Sequence, residues 1–179
     1  TVQTNTAAIQ EEKDAFVLIA SNVQVKISKK SGLISYYSLN GEEYFKQYPE
    51  PNFWRAPTDN DFGNKMPQKL NVWRTAGKNI TLENIQVTEE NGKKYVIAKM
   101  KLNDVFSDYA IKYSLSNDGA LEIIPSYKKG NNPVPEMPRF GMLFVLKENF
   151  ENLDYYGRGP LENYPDRNTA SFKGIYESK

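Results

Sequence analysis

Residues 80–102, "ITLENIQVTEENGKKYVIAKMKL", hold two apolar-patterned runs on either side of Asn91 and Gly92. Asn-Gly is the pair a two-residue hairpin turn favours, because both central residues must take positive φ. The reading is strand, turn, strand. The same grammar recurs downstream, where "SDYAIKYSLS" (107–116) and "ALEIIPSY" (120–127) flank Asn117-Asp118-Gly119. Upstream, "FVLIASNVQVKIS" (16–28) passes from an apolar run into alternation. That alternation puts Val23, Val25 and Ile27 on one face of a strand. A turn at Lys29–Gly32 and the run "LISYYSL" (33–39) follow, then a second Asn-Gly signal at Asn40 and Gly41 and a short strand "EYF".

Working outward, "RFGMLFVL" (139–146) reads as a strand buried on both faces or nearly so, and "LDYYGRGPLENYPDR" (153–167) starts as strand and ends as loop. Pro49, Pro51 and Pro57 mark Pro49–Gly63 as a loop. Met66, Leu70 and Trp73 are spaced i, i+4, i+7, which predicts one short helix near residues 65–76, ending near Gly77. No strand–helix–strand rhythm appears. The predicted fold is all-β, an antiparallel two-sheet sandwich. Residues 1–14 are polar and read as a linker or tail, with one domain over 15–179. Lysine pairs beside the turns, such as Lys93–Lys94, read as charge protecting sheet edges.

The 179 residues include no cysteine and no histidine. Disulfides, thiolate catalysis, imidazole bases and His-ligated metals are therefore excluded. The net charge of +1 provides no field to attract nucleic acid or an anionic membrane. No apolar run approaches the roughly 20 residues of a membrane helix.

Two motifs stand out. In "NFWRAPTDNDFGN" (52–64), Asp59 and Asp61 are candidates for a cation loop or for a glycosidase carboxylate pair. The cation loop lacks its closing glutamate, and both carboxylates lie on one short loop rather than on either side of a sugar. The preferred reading is a structural lock. Asp59, Asn60 and Asp61 cap turn amides, Arg55 forks onto a loop carboxylate, and Phe53 and Trp54 pin the loop to the core. In "YYGRGPLENYPDR" (155–167), Arg158, Glu162, Asp166 and Arg167 can form an ion-pair network. Asn163 and Tyr164 add hydrogen bonds and a flat face. Gly157 and Gly159 suggest special backbone geometry. This motif reads either as structure and interface or as a sugar-contact surface.

These stretches closely resemble the two signature segments of the C-terminal β domain of large bacterial β-galactosidases, glycoside hydrolase family 2. They occur in the family's order and near its spacing. "KLNVWRTAGK" (69–78), between them, resembles the family's Trp-x-x-Ala-Gly segment. The resemblance implies a supersandwich, as in galactose mutarotases, with this chain as the front portion of that domain. It also implies that the catalytic glutamates and the magnesium ligands sit on a separate (β/α)₈ barrel. No catalytic residue, metal or cofactor is then expected here. Neither Trp54 nor Trp73 matches the family's galactose-lining tryptophan. The implied partners are the barrel of the same polypeptide, a β-galactoside substrate through the parent enzyme, and further copies in a homo-oligomer. The compartment stays open between bacterial cytoplasm and periplasm. Two other functions remain as contrasts: an independent carbohydrate-binding module, and an aldose mutarotase, whose usual histidine acid is missing.

Overall fold

A computed structural model describes residues 7–160 and 169–178. The chain divides into a larger unit, Thr1–Val145, and a smaller one, Leu146–Lys179. The larger unit opens with a five-stranded antiparallel meander: β1 (Ala8–Glu11), β2 (Ala15–Ala20), β3 (Val23–Ser28), β4 (Ile34–Leu39) and β5 (Glu42–Glu43). Alternation in β3 buries Val23, Val25 and Ile27, as their spacing requires. The polar stretch read as a tail is extended by the neighbouring sheet: Ala8–Glu11 pairs with Phe16–Ile19 as an edge strand.

A long strand β6 (Phe45–Asn52) and three single-turn helices lead into the second sheet. The helices are α1 (Asp59–Gly63), α2 (Met66–Lys69) and α3 (Trp73–Ala76). The one helix expected at 65–76 is thus two pieces, with a further turn before them. Lys65 adopts a left-handed conformation ahead of α2, and Pro67 in its first turn has no N–H to contribute. The apolar spacing still does its work, since Met66 and Trp73 are buried. The loop expected from Pro49 onward also needs correction, because β6 runs through Pro49 and Pro51. Among the described residues it pairs with one strand only, and an edge strand tolerates residues that cannot donate.

The second sheet is four-stranded and antiparallel, in the order β10-β9-β8-β7. Its strands are β7 (Ile80–Glu90), β8 (Lys93–Leu102), β9 (Ser107–Leu115) and β10 (Leu121–Lys128). Asn91 and Gly92 both take positive φ, 53° and 75°, so the β7–β8 turn has the geometry that the Asn-Gly pair encodes. One apolar cluster joins the two sheets: Leu18, Val25 and Ile27 from the first, Val96, Met100, Ile111 and Tyr113 from the second. A polar tie crosses it, where the Tyr113 hydroxyl donates to the Gly32 carbonyl at 3.0 Å. Gly32 has φ +72°, and an added Cβ would lie 2.7 Å from Leu82 Cδ1 and 2.8 Å from Ala98 Cβ. The turn has room for no side chain there.

The last strand begun in the larger unit is β11 (Gly141–Leu146), paired with β6. Its expected burial on both faces is not found. Leu143, Phe144 and Val145 are exposed. Among the described residues β11 has a single strand neighbour, β6, so an apolar run can ask for cover that these strands do not provide. In the smaller unit, β12 (Leu153–Gly159) and β13 (Phe172–Ser178) form an antiparallel ribbon with Tyr155 opposite Tyr176 and Gly157 opposite Gly174.

Candidate functional site

The first motif begins where β6 ends. Phe53 is 1% exposed and meets Trp73 and Tyr109 edge to face, with ring centroids 5.8 and 5.6 Å apart. Trp73 is equally buried, and its indole N–H donates to the Pro135 carbonyl at 3.1 Å. A buried indole nitrogen without such a partner would be costly. Gly77, closing α3, lies against β6: an added Cβ would fall 2.2 Å from the Pro51 carbonyl oxygen. These contacts fix the backbone on both sides of the loop.

On that base the polar residues converge. Arg55 forks onto Asp61, with Nη2–Oδ1 at 2.9 Å and Nη1–Oδ2 at 2.5 Å. The second Asp61 oxygen also accepts from the Thr58 backbone N–H at 2.8 Å and from its hydroxyl at 2.9 Å. Thr58 in turn caps α1 by accepting from the Asp61 N–H, which completes a reciprocal capping box. The Arg55 fork, then the Thr58 N–H, hold the Asp61 carboxyl well below the usual carboxylate range. Both side chains of the pair are largely covered.

Asp59 and Asn60 occupy the exposed first turn of α1 and do not join this network. Trp54 is half-buried, its N–H bonded to the Asn52 side chain at 3.1 Å. The Arg74 guanidinium lies 5.2 Å from the centre of its ring. Thr58 and Arg74 were not singled out in the sequence. Thr58-x-x-Asp61 is a readable capping signal, whereas the Arg74–Trp54 contact depends on the chain's path and has no local signature.

In the second motif, Arg158 lies on exposed β12, directly opposite Lys173. Glu162, Asn163, Tyr164, Asp166 and Arg167 lie outside the described residues. Neither Gly157 nor Gly159 has positive φ, which corrects the expected backbone role. Gly159 is needed for space instead: a Cβ there would lie 2.6 Å from the Tyr155 hydroxyl oxygen and 2.8 Å from Tyr176 Cδ2. At Gly157 the nearest contact would be an ordinary 3.5 Å.

The arrangement at Asp61 supports a clasp. A carboxylate held ionised by a guanidinium and an amide is a poor proton donor. Its oxygens are already engaged, which leaves little for a cation. Among the described residues no three acidic side chains converge on a common point.

Residues 19–179 match the sequence profile of the family described as "Beta galactosidase small chain". The chain belongs to that β-galactosidase family. A β-galactosidase of Priestia megaterium (strain DSM 319 / IMG 1521) is 31% identical over 169 residues, 94% of this chain and 16% of the relative. One from Clostridium acetobutylicum is 35% identical over 152 residues, 84% of this chain and 17% of the relative. A β-galactosidase small subunit of Latilactobacillus sakei is 27% identical over 161 residues, 78% of this chain and 50% of that subunit. The chain therefore spans about one sixth of the length of the two β-galactosidases and half of the small subunit. Its match to a small-chain profile places it with the small-chain part of that family.

Proposed function

We propose that this domain is a non-catalytic part of a β-galactosidase, which packs on the catalytic barrel and helps to shape the mouth of the active site. Hydrolysis of terminal β-D-galactosides, with retention through a glycosyl-enzyme, is then carried by carboxylates of the barrel. The barrel also holds the enzyme's magnesium. The observation that carries the reading is the Arg55–Asp61–Thr58 network, which spends the motif's central carboxylate on holding the loop. The exposed apolar residues of β11 support packing against another part of the enzyme, since exposed apolar patches of this kind mark contact surfaces. A carbohydrate-binding module would want an open aromatic platform at Trp54, and Arg74 lies over that ring.

The test has two arms. The 179-residue chain alone should not turn over nitrophenyl galactoside. A whole β-galactosidase carrying Arg55→Ala should melt lower while the folded enzyme keeps its kcat. Turnover by the isolated chain, or a collapse of kcat with an unchanged melting temperature, would sink the reading.

A further inference from the structure

A recess of about 670 Å³ opens in the larger unit where the β3–β4 turn, β6 and the start of β7 meet. Small-molecule sites span about 300–1,000 Å³. Leu33, Ile80 and Leu82 give it an apolar floor, half-buried against the core. Its walls are polar. Gln47 and Glu50 of β6 are both half-buried, and the Gln47 amide donates to the Glu50 carboxylate at 2.8 Å. The turn supplies Ser28 and Ser31, whose oxygens accept from the turn's own amides. Their O–H groups remain to donate. Two exposed cations complete the lining, Lys30 from the turn and Lys78 after α3. Lys26 and Lys29, just before them in the chain, pair with Glu12 and Glu11. Among the described residues the Lys30 and Lys78 ammonium groups have no such partner.

The frame of the recess is fixed from behind. The hydrogen bond from Tyr113 to the Gly32 carbonyl holds the turn against the second sheet, and Gly32 has room for no side chain. Gly77, which lines the recess beside Lys78, closes on the Pro51 carbonyl of β6. A preformed frame asks little ordering of itself when a ligand enters. The chemistry of the lining then selects the ligand. Two ammonium groups without partners favour an anion, and lysine meets phosphate or carboxylate as a point charge. Glu50 disfavours a second negative charge beside it. With Gln47 and the two serines it offers acceptors and donors that suit neighbouring hydroxyls, and the floor suits the C–H face of a ring. We propose that the recess binds a small polyhydroxylated anion, a hexose phosphate or a hexuronate, with Lys30 and Lys78 on the anionic group and Gln47 and Glu50 on the hydroxyls.

The site is independent of the proposed function: it uses no residue of the Arg55–Asp61–Thr58 clasp and takes no part in hydrolysis. It is tested by NMR titration of the isotope-labelled 179-residue chain. Glucose 6-phosphate or glucuronate should move the amide resonances of Ser31, Gln47, Lys78 and Leu82, with a Kd on the order of millimolar, as suits exposed charges around an open recess. The two probes distinguish phosphate from carboxylate as the anionic group. Neutral glucose, and inorganic phosphate alone, should each bind several-fold more weakly. Lys30→Gln and Lys78→Gln should each weaken binding roughly threefold to fivefold, the strength of an exposed ion pair. Both variants should melt with the wild type, since neither side chain has a partner to lose. Lys99→Gln, an exposed lysine outside the recess, should leave binding unchanged. Absence of shifts at these residues with either probe, equal binding of glucose or of inorganic phosphate, or affinity indifferent to both lysine substitutions would each overturn the assignment.

Discussion

The loop 52–64 and the β12–β13 ribbon are built from the same residue types, aromatics with arginine, aspartate and glycine, and they use them in opposite ways. In the loop Phe53 turns inward and packs on Trp73 of α3, each of them 1% exposed. The arginine and aspartate satisfy each other. In the ribbon the aromatic Tyr156 points out, and charges of one sign sit opposite each other. Composition alone does not separate a clasp from an exposed ribbon. What separates them is whether a ring finds a second layer to pack on.

The sharpest way to break this contrast is truncation of one aromatic from each region. Phe53→Ala should cost about 3–5 kcal/mol, the usual range for removing a fully buried ring. Tyr156→Ala should stay within about 0.5 kcal/mol, as a surface substitution does. Urea midpoints of the two variants measure both. Equal losses would mean that the two motifs are held alike.

Next in size is the pair of glycines in the ribbon. Gly159→Ala should cost about 1–3 kcal/mol by overpacking, because the Tyr176 ring it meets is held by a hydrogen bond from its hydroxyl to the Phe172 carbonyl at 2.8 Å. Gly157→Ala meets nothing closer than 3.5 Å and should shift the midpoint by about 0.5 kcal/mol at most. Comparable effects at both positions would point to backbone strain as the reason for these glycines, which their φ angles argue against.

How much of this could be read in the sequence depends on the range of the force involved. The Asn91-Gly92 hairpin and the burial of Val23, Val25 and Ile27 follow from turn chemistry and period-two alternation, both local. The Arg55–Asp61 fork spans only six residues, within reach of sequence reasoning. The exposure of Leu143 and Phe144 was not legible. An apolar run shows that two faces favour cover, and it does not say where the cover comes from. Nor was the fit of Gly77 against Pro51, which depends on two segments crossing. The strand through Pro49 was hidden because proline reads as a breaker unless the strand's edge position is known.

The clasp itself gives a smaller effect than Phe53 or Gly159 and the most specific one. Arg55→Ala should lower the melting temperature by a few degrees, and Asp61→Asn by a similar amount at neutral pH. The pH dependence of the second gap isolates the charge. Asp61 titrates lower in the folded chain than its ordinary value of 3.8. A carboxyl whose pKa is depressed by folding contributes stability that is fully present above the unfolded value and is lost as pH falls towards the folded one. The difference in melting temperature between wild type and Asp61→Asn should therefore be level from neutral pH down to about 5, then shrink as pH drops below about 4. Arg55 stays protonated across this range, so the change belongs to the carboxylate. Differential scanning fluorimetry of the two proteins side by side cancels the contributions of the other acids. A gap that stays constant down to strongly acidic pH would show that the ionised carboxylate is not what holds the loop, and the difference from the ribbon would then rest on its buried aromatics alone.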